Sequence, residues 1–368
     1  MTSLSISKRN RTRHGMTLTE TVFACGITLL ACAAAAPMLQ KTKCDAARAQ
    51  SQANLVQLNA SLDAYASSNK GRQYSVAPDN FGAYSSCSEY QEAEGCLPPL
   101  VIGEGCDGTQ WGWYFGCDGV GSCANGVMLQ PMSLTTAGQG WARRCNWIDF
   151  AAYVNGRYFD PVFWAPDDTD AYEAASQYFD VDCEYGGPID AYGETATTYF
   201  FSAAALWHPD VLGRDYDGFR DPSSFDESYA APVVAECVYP ELKTRLMEHN
   251  AMGKFWEGHS PYNPLFGGDN GVPWYFNQVS NTRNLSLFYD GSVRILSVNE
   301  AGRADQRIKR QDDPSGGSYL GLWSRNTPLG SNGYFNNQAQ VFYDEQTSYH
   351  VLTIDGIRGR DTVWSYGK

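Results

Sequence analysis

The pattern of apolar and polar positions changes character three times along the chain. Residues 1–15 are polar and basic, with Lys8, Arg9, Arg11 and Arg13 and no acid. Residues 21–36 are apolar apart from Thr21 and Thr28, and Glu20 is the only charged residue between Met16 and Leu39. From Lys41 to Lys70 the sequence is polar but free of proline, and Leu55, Leu58, Leu62 and Tyr65 recur at spacings of three and four. That spacing is the apolar stripe of an amphipathic helix. Asn69-Lys70-Gly71 supplies a C-terminal stop. The simplest expectation is one helix from about Leu18 to about Asn69, roughly 75–80 Å long at 1.5 Å per residue. Its first half is apolar and its second half one-sided. Pro37 then kinks the helix without ending it; two helices broken at Pro37 are the alternative.

Beyond Arg72 long periodic helices vanish and Gly, Pro, Tyr, Trp and Asp become frequent. In "NLSLFYDGSVRILSV", Leu285, Leu287 and Tyr289 alternate, Asp290-Gly291 follows, and Val293 and Ile295 alternate again. Asp-Gly between alternating runs predicts a β-hairpin. "TATTYFFSAAALW" (195–207) and "ELKTRLMEH" (241–249) read equally as buried strand or short helix. "VFYDEQTSYHVLTIDGIRG" suggests further strands. The expected class is α+β, a long N-terminal helix packed on an antiparallel sheet, with a loop-rich, disulfide-rich insertion.

Composition narrows the chemistry. The 368 residues are 43% hydrophobic, enough for a core, and carry a net charge of −14. The N-terminal cations make the remaining body more acidic still, which argues against nucleic acid as a partner and against docking on anionic headgroups. Of eleven cysteines, Cys25 and Cys32 lie in the apolar run and Cys44 just after it. The other eight are Cys87, Cys96, Cys106, Cys117, Cys123, Cys145, Cys183 and Cys237. An even number concentrated among Gly, Asp and Ser favours disulfides in an oxidising compartment. No C-x(2–4)-C pair favours zinc, and the connectivity stays open among about 105 pairings.

The five histidines form no zinc-protease motif, and neither a nucleophile elbow nor a phosphate loop is present. No catalytic residue is assigned. Acidic residues are read as a solvated surface, since a hydrolase pair is defined by a separation of roughly 5–10 Å in space. Asp215, Asp217 and Asp221, spread around Gly218, are a candidate calcium loop, with Asp167, Asp168 and Asp170 a weaker one. Neither matches an EF-hand, and a polar turn is the alternative. "QWGWYFG" gathers Trp111, Trp113, Tyr114 and Phe115, either as core or as an aromatic shelf for sugar rings or another subunit.

The carboxylate at Glu20 remains to be explained. A Sec signal ending near Ala33–Ala36, or a lipoprotein signal "LLAC" ending at Cys32, gives it no role. Gly15-Met16-Thr17-Leu18-Thr19-Glu20 resembles the cleavage and methylation motif of type IV pilins and type II secretion pseudopilins. "SQANLVQLNASLDAYASSNKGRQYSVAPD", "VYPELKTRLMEHN" and "NLSLFYDGSVRIL" resemble segments of the large pseudopilin-like family of Planctomycetes with an H-x9-DG ending. Its aspartate and glycine fall on Asp290 and Gly291, while Ser280 stands where that family has histidine.

The resemblance implies cleavage by prepilin peptidase between Gly15 and Met16 and N-methylation of Met16. It places the helix-breaking proline at Pro37, and it has Glu20 neutralise the N-terminal ammonium of a neighbouring subunit. It divides the chain into a leader (1–15), a long helix (16–71; membrane half 16–39, amphipathic half 40–71) and a head (72–368) with a variable cysteine-rich region at about 80–235. Some relatives hold calcium in the C-terminal domain. The implied partners are prepilin peptidase, other pilin-like subunits, the inner-membrane platform and the membrane itself. The implied location is the inner membrane with a periplasmic head. The alternative is a membrane-anchored envelope protein whose head binds carbohydrate, with Trp111 and Trp113 as candidates.

Overall fold

The computed structural model describes residues 18–96, 100–108, 110–113, 144–181, 197–248, 283–312, 320–325, 327 and 352–363. Residues 18–40, 87, 100–104, 110–113, 170, 203, 223, 283, 298–299 and 312 are described by their backbone alone. The chain forms two units, Met1–Ala47 and Arg48–Lys368.

Helix α1 runs uninterrupted from Leu18 to Ser68. It is followed by α2 (Cys87–Glu94), the antiparallel pair β1 (Leu100–Glu104) and β2 (Gln110–Trp113), α3 (Ile148–Ala151), α4 (Thr169–Ser176), β3 (Tyr199–Phe201) and α5 (Ala203–Leu206). β4 (Thr244–Glu248), β5 (Arg283–Phe288), β6 (Val293–Ser297) and α6 (Val298–Asp312) complete the described elements. The class is mixed α+β, built on a four-stranded antiparallel sheet of order β3-β4-β5-β6. The two segments that sequence left undecided resolve as strands, the first of them running on into the one-turn helix α5. The region read as variable and cysteine-rich, about 80–235, contains among its described residues four short helices, strand β3 and a two-stranded hairpin besides its turns.

Strand alternation divides the sheet's side chains between two cores. Leu246, Leu285 and Leu287 join the largest cluster, with Leu55, Leu58 and Leu62 of α1 and an aromatic group from residues 147–164. Met247, Phe288 and Leu296 join a second cluster with Ala301 and Ala304 of α6 and Trp323. Because side chains one apart leave a strand on opposite faces, α1 covers one face of the sheet and α6 the other. Leu55, Leu58 and Leu62 are at most 1% exposed, so the stripe read from the sequence is the buried face of α1. The large aromatics Trp147, Phe150, Tyr158, Phe159 and Trp164 belong to the same cluster.

The end of α1 is chemically defined. The Gly71 amide donates to Ala66 O at 2.7 Å, and Asn69 Nδ2 donates to Tyr65 O at 2.8 Å, so two late carbonyls are satisfied. Lys70 and Gly71 take the left-handed conformation that ends the helix.

The Asp-Gly hairpin forms where the sequence placed it, with Leu285 opposite Ile295 and Leu287 opposite Val293. Its loop is Tyr289-Asp290-Gly291, one residue longer than the tightest turn. The Gly291 amide donates to Phe288 O at 2.9 Å, and the Phe288 amide donates to Ser292 O at 2.9 Å. Gly291 has φ +81°, the left-handed residue a three-residue loop of this kind demands. Asp290 Oδ1 accepts from the Ser292 amide (2.9 Å) and hydroxyl (2.6 Å), which fixes the turn from within.

Candidate functional site

The polar chemistry of the Arg48–Lys368 unit gathers where other segments are joined to the sheet. Between α1 and the sheet lies a buried polar belt. Ser51 Oγ donates to Glu248 Oε1 at 2.5 Å and lies 2.7 Å from the Tyr199 hydroxyl. The single serine proton goes to the carboxylate, so Tyr199 donates to Ser51. Glu248 Oε2 accepts the Leu285 amide at 2.8 Å, and Asn54 Nδ2 donates to Trp164 O at 3.1 Å. Burial, then the nearby Glu248 charge, pushes the Tyr199 phenol well above its ordinary value, consistent with that proton assignment.

About two turns further along α1, Arg245 Nη1 donates to Asn59 Oδ1 (2.7 Å) and Asp63 Oδ1 (2.6 Å). The same guanidinium stands 5.5 Å from the centre of the Tyr289 ring. The Tyr289 hydroxyl donates to Gln73 Oε1 at 2.6 Å, and Gln73 Nε2 donates to Ala205 O. The Asp-Gly hairpin is thereby tied to the segment that leaves α1.

The C-terminal segment is held by ionic locks. Lys243 Nζ lies 2.9 Å from Asp361 Oδ1 with both side chains fully buried, and it also donates to Thr353 Oγ1 at 2.9 Å. Asp361 Oδ2 accepts the Thr244 amide at 2.9 Å and the Thr244 hydroxyl, and Thr353 Oγ1 donates to Oδ1. Asp305, buried at the inner face of α6, accepts the Leu322 and Trp323 amides and pairs with Arg325.

Two open concavities flank these joints. One, of about 670 Å³, is lined by Asp210, Arg214, Asp215, Tyr216, Tyr239, Asp355, Arg358 and Arg360 among others. Tyr216 and Tyr239 are both exposed, and Arg360 stands over the Tyr239 ring at 5.2 Å. The other, of about 520 Å³, runs beside α6 and is described below.

The sequence-derived candidates fall as follows. Gly15, Met16 and Ser280 lie outside the described residues, as do Cys117, Cys123 and Cys183. Glu20 and Pro37 lie within the helical span of α1, where only the backbone is described, and the same holds for Trp111 and Trp113 on β2. The stretch read as the membrane half, 16–39, has no described side chains. Among the described residues, no helix is long and apolar enough to cross a membrane.

One expectation needs correction. Cys145 and Cys237, expected in disulfides, are free thiols. Cys145 is an inward-facing core residue that donates to Tyr199 O at 3.2 Å, and burial pushes its thiol up to about 12. Cys237 is half-buried, with its thiol pushed to about 11 chiefly by burial. Cys96 and Cys106 are disulfide-bonded, and Cys87 opens α2.

The calcium-candidate aspartates lie on turns or at the start of α4. Asp215 sits in a 3-10 turn, Asp217 caps it in the left-handed conformation, and Asp221 opens the next turn; all three are exposed. Asp168, in the weaker candidate, is buried and accepts from the Thr198 hydroxyl at 2.7 Å. Among the described residues no group of three or more His, Cys, Asp or Glu side chains is arranged to hold a metal ion.

Sequence reasoning missed the Ser51–Glu248–Tyr199 belt and the Arg245 and Lys243 pairs. The available signal was Ser51 and Asn54, polar residues that extend the leucine stripe by one turn. No family model, curated protein or solved structure matches the chain.

Proposed function

We propose that the chain is a pilin-like subunit that assembles through its N-terminal helix into a type II secretion pseudopilus or type IV pilus-like filament. The observation that carries this reading is α1. It is a single helix of 51 residues, yet among its described side chains, from Lys41 onward, only the portion from Ser51 to Ala66 includes buried positions. A helix needed only to complete that core would begin near Ser51. The preceding turns include the apolar run 21–36, which requires another apolar surrounding. Membrane first and a bundle of like helices afterwards would supply it.

In this reading prepilin peptidase cuts between Gly15 and Met16 and methylates the new amine. That amine and the Glu20 carboxylate then lie near one end of one helix, so stacking of subunits pairs the two charges. Pairing is what makes a carboxylate tolerable in apolar surroundings. Arg9, Arg11 and Arg13 keep the leader cytoplasmic before cleavage, and the head faces the periplasm. Mass spectrometry of the mature N-terminus tests the proposal. N-methyl-Met16 is expected; a start after Ala36 or a lipidated Cys32 would sink it. Glu20→Ala is expected to insert normally but fail to enter filaments.

A second reading is supported by the 670 Å³ concavity. Exposed Tyr216 and Tyr239 beside planar polar groups of both charges suit a neutral carbohydrate, with α1 serving only as an anchor. Calorimetry with neutral oligosaccharides, on the native protein and Tyr239→Ala, decides it. Absence of heat at millimolar sugar removes this reading.

A further inference from the structure

α2 and α6 carry opposite charge on exposed faces. On α6, Arg303, Arg307 and Arg310 recur at i, i+4 and i+7, one stripe, and all three are exposed. None has an ion-pair partner among the described residues. Like charges one turn apart destabilise the helix that bears them. They do so here in a chain whose net charge is −14. Arg303 and Arg307 border the 520 Å³ groove, whose floor includes Leu242, Phe288, Leu296 and Val363.

The chain carries its own acidic counterpart. Residues 73–142 contain seven acids and neither Lys nor Arg. Within them α2 exposes Glu89 and Glu92, one turn apart. Among the described residues Glu89 uses only Oε2, toward the Ser85 hydroxyl and amide, which holds its carboxyl below the usual range. Glu92 has no partner among the described residues. α2 is seated through Tyr90 on Phe81, while α6 is seated on Met247 and Trp323, in a different cluster. No described ion pair joins the two helices within one copy.

We propose that the groove beside α6 receives α2 of a second copy of this chain, with Glu89 and Glu92 meeting Arg303 and Arg307. Both pairs are spaced by one helical turn, so two carboxylates align with two guanidiniums, a geometry in which charge-assisted hydrogen bonds are strong. The acidic partner is supplied by the chain itself, and its charge complements the groove. A contact between unlike surfaces leaves one of each open on every added copy, so it propagates as a row. The inference rests on the filament reading and names the head-to-head contact within it.

Sedimentation of the full chain in neutral detergent, at low and high salt, tests this with Arg303→Glu/Arg307→Glu, Glu89→Lys/Glu92→Lys and the combination of all four. Each charge-reversed pair is expected to weaken self-association about tenfold or more, and the combination to restore it. Wild-type association is expected to fall as salt rises. Unchanged melting temperatures confirm that the variants fold; Arg303→Gln/Arg307→Gln replaces any that does not. Association indifferent to both pairs overturns the proposal. So does loss with the arginine pair alone, which would mark a different acidic partner, or a combination that fails to recover. N-terminal mass spectrometry on the same samples separates the two readings. Charge rescue without N-methyl-Met16 overturns the filament and keeps the contact, and the reverse keeps the filament and overturns the contact.

Discussion

Helix α1 and the C-terminal segment are both fixed to one sheet, by different physics. α1 buries three leucines and makes neutral or singly charged hydrogen bonds through Ser51 and Asn54. Its one ion pair among the described residues, Arg245–Asp63, leaves Asp63 56% exposed. The C-terminal segment is held by Lys243–Asp361, with neither side chain exposed, and by Asp305–Arg325. A long helix offers a continuous apolar stripe, so area alone can hold it. A chain of turns has no such stripe, and specific charges must fix where it crosses. Buried ion pairs contribute little net stability, but breaking one is costly.

The largest effect should therefore come from the C-terminal lock. In Asp361→Asn an amide NH₂ must face either Lys243 Nζ or the Thr244 amide, both donors, and the ammonium keeps no counter-charge. A loss of about 3–5 kcal/mol is expected by chemical denaturation. The double replacement Lys243→Met/Asp361→Leu should recover much of it, because neither charge is then stranded. If the single change costs under about 1 kcal/mol, the lock is not what holds this segment.

Leu58→Ala probes the other side of the comparison. The side chain is fully buried between α1 and the sheet, and its loss should cost about 2–5 kcal/mol through transfer and cavity terms. No second substitution of the kind that rescues Lys243 should rescue it. Ser51→Ala comes next. It strands Glu248 Oε1 and the proton of Tyr199 at once, for about 1–3 kcal/mol. A cost near zero would mean that water replaces the hydroxyl.

The same contrast explains what could be read in advance. α1 was legible almost to the residue, because helix length and stripe are local patterns repeated over many turns. The hairpin was legible because Asp290 and Gly291 carry their turn chemistry with them. What differed was only the loop length, since Tyr289 leaves the strand to meet Gln73. The Lys243–Asp361 pair spans 118 positions, and no periodicity links residues so far apart. Cys145 misled for a related reason. Spacing cannot tell a thiol that packs as a small apolar group from one that is bridged.

The smallest effect is the sharpest test of the distinction. Asp63→Asn keeps an oxygen for Arg245 and removes only the charge, at a position where water already competes for it. Asn59 Oδ1 still accepts from the same guanidinium nitrogen, and the Tyr289 ring still faces the cation. The expected loss is at most about 1 kcal/mol, and it should shrink further at high salt, as for any solvent-facing pair. Arg245 itself is only 2% exposed, so the prediction rests on the exposure of one partner rather than both. If Asp63→Asn instead destabilised the protein as much as Asp361→Asn, α1 would be an ionically locked element like the C-terminal segment. The leucine stripe would then be a consequence of its position and not the cause.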